Sequence, residues 1–303
     1  MNYRKMKNYI RISLLLLTVL LFRSATAQDL FDALGKDTIK TNYAYATFKT
    51  TRVVNGQSVE NASKGTLLFL ISHHFGPSNS GSYNLFGLDQ STIRFGLEYG
   101  LSDRLCIGVG RSSYEKTFDG FLKYKLLRQS SGYRNMPVTV SLFSTMDINT
   151  LKWQDPTRTN FFSSRLSYAY QVLIARKFNN SLSLQLSPTL VHKNLVPGVN
   201  DKNDIYALGI GGRFKITERV SLNAEYFALM NQPKTSIYVN SFSVGVDIET
   251  GGHVFQLHFT NSMPMFERGF ITETVGKWSK GDIYFGFNIS RAFTIVKHKN
   301  SKY

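Results

Sequence analysis

The chain has 303 residues, with 36 lysines and arginines against 20 aspartates and glutamates, a formal net charge of +16. Its one cysteine, Cys106, excludes an internal disulfide and any multi-cysteine metal site. The basic excess does not mark a nucleic-acid binder, because the charges are scattered over strand-like segments, turns and the tail, without an aromatic-basic motif to present them. They suit turns beside lipid headgroups, or a lumen that favours anions.

Residues 1–27 read as a signal peptide: Arg4, Lys5, Lys7 and Arg11, an apolar run from Leu14 to Phe22, then Ala25-Thr26-Ala27. The run falls short of the roughly 20 residues that a spanning helix needs. Loss of this leader, with Arg23, removes five positive charges from the +16 and leaves +11. Export into a periplasm follows. Residues 28–64 differ from the rest: Leu30, Phe31 and Leu34 fit one face of a short helix, and Tyr43 to Val54 reads as an extended stretch ending at Asn55-Gly56. This part is expected to be a periplasmic N-terminal extension or a plug.

From 65 to 293 apolar and polar residues alternate. Phe242, Val244, Val246 and Ile248 interleave with Ser241, Ser243, Gly245 and Asp247. A period of two marks strands with one apolar and one polar face. Strands are predicted at about 66–75, 91–100, 104–113, 117–128, 137–146, 162–176, 181–192, 204–215, 218–229, 239–249, 252–262 and 282–293. Short links such as 101–103, 178–180 and 249–251 alternate with longer ones holding Pro77, Pro156, Pro197, Pro233 and Pro264. Pro188 falls inside a predicted strand, where it cannot donate to a ladder. A basic tail covers 294–303.

The fold class this predicts is all-β: a transmembrane, antiparallel, up-and-down β-barrel in the outer membrane of a Gram-negative bacterium, with short turns in the periplasm and long loops outside. Twelve strands put both barrel ends in the periplasm; ten and fourteen are the alternatives. Ile93, Phe95, Leu97 and Tyr99 share a lipid face, as do Tyr168, Tyr170 and Val172. The opposite face supplies the lumen-lining candidates Arg94, Glu98, Asp119, Lys123, Arg165, Arg213, Glu225, Asp247 and His258. Lumenal glycines such as Gly110, Gly211 and Gly286 read as close packing or strand curvature, or as room for an inserted loop or a solute. Arg94, Glu98, Asp119 and Lys123 form the densest cluster, read as a charge ladder that fixes a narrow barrel or as a selectivity constriction.

No catalytic site, metal site or cofactor is expected. Of the six histidines only His258 has lumenal parity in mid-strand, and it reads as a hydrogen-bonded wall residue. Gly209-Ile210-Gly211-Gly212 leads into no helix and is not a phosphate loop.

The stretches Phe48 to Gly56, Ile71 to Gly76, Phe86 to Asp89, Phe95 to Gly100, Gly110 to Ser113 and Lys116 to Gly120 resemble a Bacteroidetes family of outer-membrane β-barrel proteins of unknown function. The resemblance implies the barrel and its compartment, and no activity or ligand. The expected role is a porin-like narrow channel or binding barrel for small solutes; the alternative is a closed structural or docking barrel for surface or periplasmic proteins. Expected partners are outer-membrane lipid, the barrel assembly machinery, a small solute and a periplasmic or surface protein.

Overall fold

The structure is a computed structural model that describes residues 40–196, 198, 201–232 and 236–296. The leader, the 30–34 segment, Pro197, Pro233 and most of the basic tail lie outside the described residues. Two short strands, β1 (Thr41–Tyr43) and β6 (Ser130–Gly132), pair antiparallel in a small unit of their own.

The other unit is a closed barrel of twelve strands, the predicted number. They are β2 (Thr66–Pro77), β3 (Ser91–Gly100), β4 (Leu105–Ser112), β5 (Phe118–Leu127), β7 (Thr139–Ile148), β8 (Leu166–Lys177), β9 (Leu182–Lys193), β10 (Asp204–Lys215), β11 (Val220–Leu229), β12 (Ser241–Thr250), β13 (His253–Thr260) and β14 (Tyr284–Thr294). Each pairs antiparallel with its chain neighbours, and β14 closes on β2 with Ile289 opposite Ile71. Closure leaves no unpaired edge, as a strand structure in hydrocarbon requires. Among the described residues no helix is long and apolar enough to cross a membrane.

The side chains follow the period of two. Along β3, Thr92, Arg94, Gly96 and Glu98 are buried inward, while Phe95 and Leu97 are exposed outward. Pro188 is accommodated in β9 because the gap it makes falls on one side: it stands opposite Leu208 of β10, while pairing to β8 stops at Gln171/Thr189 and resumes at Ile174/Leu186. The missing donor breaks only one ladder.

The barrel's core is its own interior. Residues 47, 48 and 50–59 are buried within it, with Phe48, Val53 and Val59 packed against Phe121, Phe143 and Leu173 of the wall. Burial of side chains of this size contributes about 1.5–3 kcal/mol each. From the other end the β13–β14 connection folds inward as a short helix, α1 (Glu267–Thr272), whose Phe270 and Ile271 pack against Ala169, Val191, Ala207 and Phe227.

Candidate functional site in the lumen

The wall side chains and the two inserted segments form one polar network. Val54, Asn55 and Gly56 donate three successive backbone N–H groups to the Glu225 carboxylate at 2.8–3.3 Å, a pattern that satisfies a buried anion without a cation. Lys123 donates to Gln57 Oε1 at 3.1 Å and to the carbonyls of Ser58 and Glu60. Arg213 donates to the carbonyls of Ala46 at 2.7 Å and Thr47 at 3.2 Å. Gln185 holds the segment on both sides, donating to Gln57 O at 2.7 Å and accepting from Val59 N at 3.0 Å.

Arg52 lies at the junction. Its guanidinium donates to Glu267 Oε1 of α1 at 2.8 Å and stands 3.6 Å from Glu98 of β3. Gln57 Nε2 adds a bond to the same Glu267 oxygen at 3.1 Å. The segment entering from one end is therefore tied to the segment entering from the other.

Arg94 clamps Asp119 through both carboxylate oxygens. Gly110 lies between them, where a Cβ would stand 2.2 Å from Arg94 Nη2. At Gly211 a Cβ would press on the inserted Val53 at 3.2 Å, so this lumenal glycine faces the inserted loop directly. Asp247 accepts from Gln256 Nε2 at 2.9 Å. Asp147, one register step from this cluster and opposite Asp119, is fully buried with neither oxygen hydrogen-bonded to protein.

Eight of the nine lumenal candidates thus line the interior: Arg94, Glu98, Asp119, Lys123, Arg213, Glu225, Asp247 and His258 are all buried. Arg165 does not. β8 begins at Leu166, and residues 162–165 form a turn in which Arg165 donates to the carbonyls of Asn149 and Leu151 and stacks 3.8 Å from the Trp153 ring. Its parity is lumenal, but the ladder ends before it.

The hydrogen-bond partner of the wall residue His258 is a second imidazole. His258 Nε2 lies 2.8 Å from Nε2 of His74 on β2, and His74 Nδ1 lies 3.0 Å from the carbonyl oxygen of Met263 in the inserted connection. That carbonyl can only accept, so with both rings neutral His74 carries its proton on Nδ1 and its Nε2 accepts a hydrogen bond from His258 Nε2–H. Gly286 of β14 makes the space, since a Cβ there would meet His74 Cδ2 at 2.4 Å and His258 Nε2 at 2.6 Å. Sequence reasoning missed His74, Arg52, Gln57 and Glu267. Of these Arg52 and His74 carried a signal, inside the Phe48 to Gly56 and Ile71 to Gly76 stretches.

At the mouth opposite the 101–104 turn, α1 is pinned by charge. Arg268 donates to Glu115 at 2.6 Å and to Glu273 at 2.7 Å, and Lys193 donates to the same Glu273 oxygen at 2.8 Å. Glu115 is presented from a left-handed backbone, φ 51°, in the β4–β5 turn. Burial, and then Glu115, push the neighbouring Tyr114 phenol up to about 12.

A closed antiparallel barrel with an apolar outer belt and a polar interior is a membrane-spanning β-barrel, here of the Gram-negative outer membrane. The chain belongs to the family described as "Membrane bound beta barrel domain (DUF5777)", whose model matches residues 48–293. No curated protein matches the chain. Among solved structures it is similar to the NanC porin, with 7% identity over 74% of this chain and 98% of that chain at a TM-score of 0.46. It is also similar to the KdgM porin, 8% over 75% and 98% at 0.44, and to outer membrane phospholipase A from Escherichia coli, 12% over 77% and 91% at 0.41. Likenesses at these values say nothing of what this lumen binds or passes.

Proposed function

We propose that the protein is a small-solute barrel held in an occluded state by its own residues 44–64 and 261–276, and that a solute passes when the N-terminal strap leaves the lumen. The observation that supports this most is the chemistry of the contact. Beside the apolar contacts of Phe48, Val53 and Val59, the strap is held by an extended set of side-chain and backbone hydrogen bonds and by buried charges on Arg52, Lys123 and Glu225. A plug that never leaves is made more stable by apolar packing, because buried ion pairs carry a desolvation cost. Polar walls re-wet when the strap departs; apolar ones do not.

The reading is non-enzymatic. Among the described residues the lumenal imidazoles are bonded to each other and to a backbone carbonyl, with no hydroxyl nucleophile on either ring. It includes insertion by the barrel assembly machinery, with Phe293 as the aromatic of the last strand, and an origin in the Bacteroidetes, which rests on the motif resemblance.

Entry of glucose into proteoliposomes tests the proposal. Arg52→Ala combined with Glu225→Gln is expected to raise the swelling rate several-fold over the unaltered chain. A folded variant that stays at the rate of protein-free vesicles would leave the closed docking barrel as the better reading.

A further inference from the structure

The β2–β3 loop, residues 78–90, carries two consecutive non-glycine residues in the left-handed region, Leu85 at φ 44° and Phe86 at φ 53°. Such strain persists only where the surroundings enforce it, and it concentrates at functional positions. Asn84 and Gly87, residues that tolerate this conformation, flank the strained pair, yet leucine and phenylalanine occupy it. The effect is display: Tyr83 is 94% exposed, Phe86 60%, Leu85 53% and Leu88 47%. No charged residue occurs between His74 and Asp89.

The loop is held at the rim. Gly87 packs on Gly76 so closely that a Cβ would stand 2.4 Å from Gly76 O. Asn79 donates to Asp282 Oδ1 and Lys280 O, and Ser78 N to Ile283 O, tying the loop's start to the end of the β13–β14 connection. Directly below, the outward faces of β2, β13 and β14 carry a run of rings: Phe75 stacks on Phe285 at 5.7 Å, Phe285 lies 5.4 Å from Phe259, and His73 stacks on Phe287 at 5.0 Å. The exposed apolar residues continue this aromatic sector of the lipid-facing belt upward past the strand ends.

We infer that the 82–88 loop is a membrane anchor whose Tyr83, Leu85 and Phe86 enter the interfacial layer of the outer leaflet. Amphipathic and aromatic side chains favour that layer, and a loop without charge enters it at the least cost. Anchoring one sector of the rim fixes the barrel's height and tilt beside its closing seam.

The test uses the full chain with Cys106→Ala, reconstituted in palmitoyl-oleoyl phosphatidylcholine vesicles and nitroxide-labelled at Phe86→Cys. Labels at Phe95→Cys in the belt and Thr157→Cys in another exposed loop are the references. Collision with oxygen relative to a water-soluble nickel chelate is expected to place Phe86 between the two references, severalfold above Thr157. A Phe86 ratio equal to that of Thr157 overturns the anchor and makes the loop an apolar face for a protein partner. Tyr83→Cys repeats the reading where the Phe86 label alters the loop.

Discussion

Arg52 Nη1 and Glu267 Oε1 are 2.8 Å apart although 215 residues separate them in the chain. One belongs to the strap and the other to α1, so the two occluding segments share a buried ion pair rather than merely filling the same lumen. Removing one partner strands the other charge, together with Glu98, in the interior. Arg52→Ala is expected to destabilise the folded barrel by about 3–5 kcal/mol, and Arg52→Met with Glu98→Met and Glu267→Met to recover most of that loss. Thermal unfolding in detergent, followed by the mobility shift of folded against unfolded chain, measures both.

The closing seam makes a second test. Gly286→Ala drives a methyl group into His74 and His258 and is expected to cost about 1–3 kcal/mol. Gly120→Ala is the control: the nearest atom to its Cβ is Gly108 O at 4.0 Å, and its stability is expected to stay at the level of the unaltered chain. Equal effects at the two glycines would contradict the packed imidazole pair.

At the mouth, Arg268→Ala removes two charge-assisted bonds to Glu115 and Glu273, an expected loss of about 1.5–3 kcal/mol in the docking of α1. Cleavage of the 263–276 segment by added protease is expected to speed up accordingly. It is also expected to rise modestly with salt in the unaltered chain, because Glu115, at the outer edge of this network, is 29% exposed.

The Asp282 carboxyl gives a pH prediction. Lys277 N–H, then Asn79 Nδ2, hold it below its ordinary value of 3.8. A lowered folded-state pKa means that the tether between the two rim loops is fully present above that ordinary value and is lost as pH falls through the folded one. Amide exchange at Lys277, corrected for intrinsic rate, is expected to be flat above pH 4 and to accelerate below it.

The barrel was legible because a period of two, broken by turn residues, is a local signal. Phe242 to Ile248 reveals its two faces without any knowledge of its neighbours. The lumenal charges followed from the same parity, and Arg165 failed only because parity persists one residue beyond the ladder's end. The fit of the lumen's occupants was not legible: residues 28–64 read as an extension or a plug without any contact to name, and neither 44–64 nor 261–276 carries a period of its own. Their side chains are chosen to fit a wall that exists only after closure. His74 and His258 stand 184 positions apart and meet because β14 closes the sheet between β2 and β13. No local pattern encodes that meeting.

Occlusion by a removable strap is tested most directly by single-channel conductance in a planar lipid bilayer, comparing the unaltered mature chain with one lacking residues 44–61. A closed baseline with rare openings is expected for the unaltered chain, and frequent discrete steps once the strap is gone. Steps of the same size and frequency in both, or silence from a deleted chain verified as folded, would contradict it.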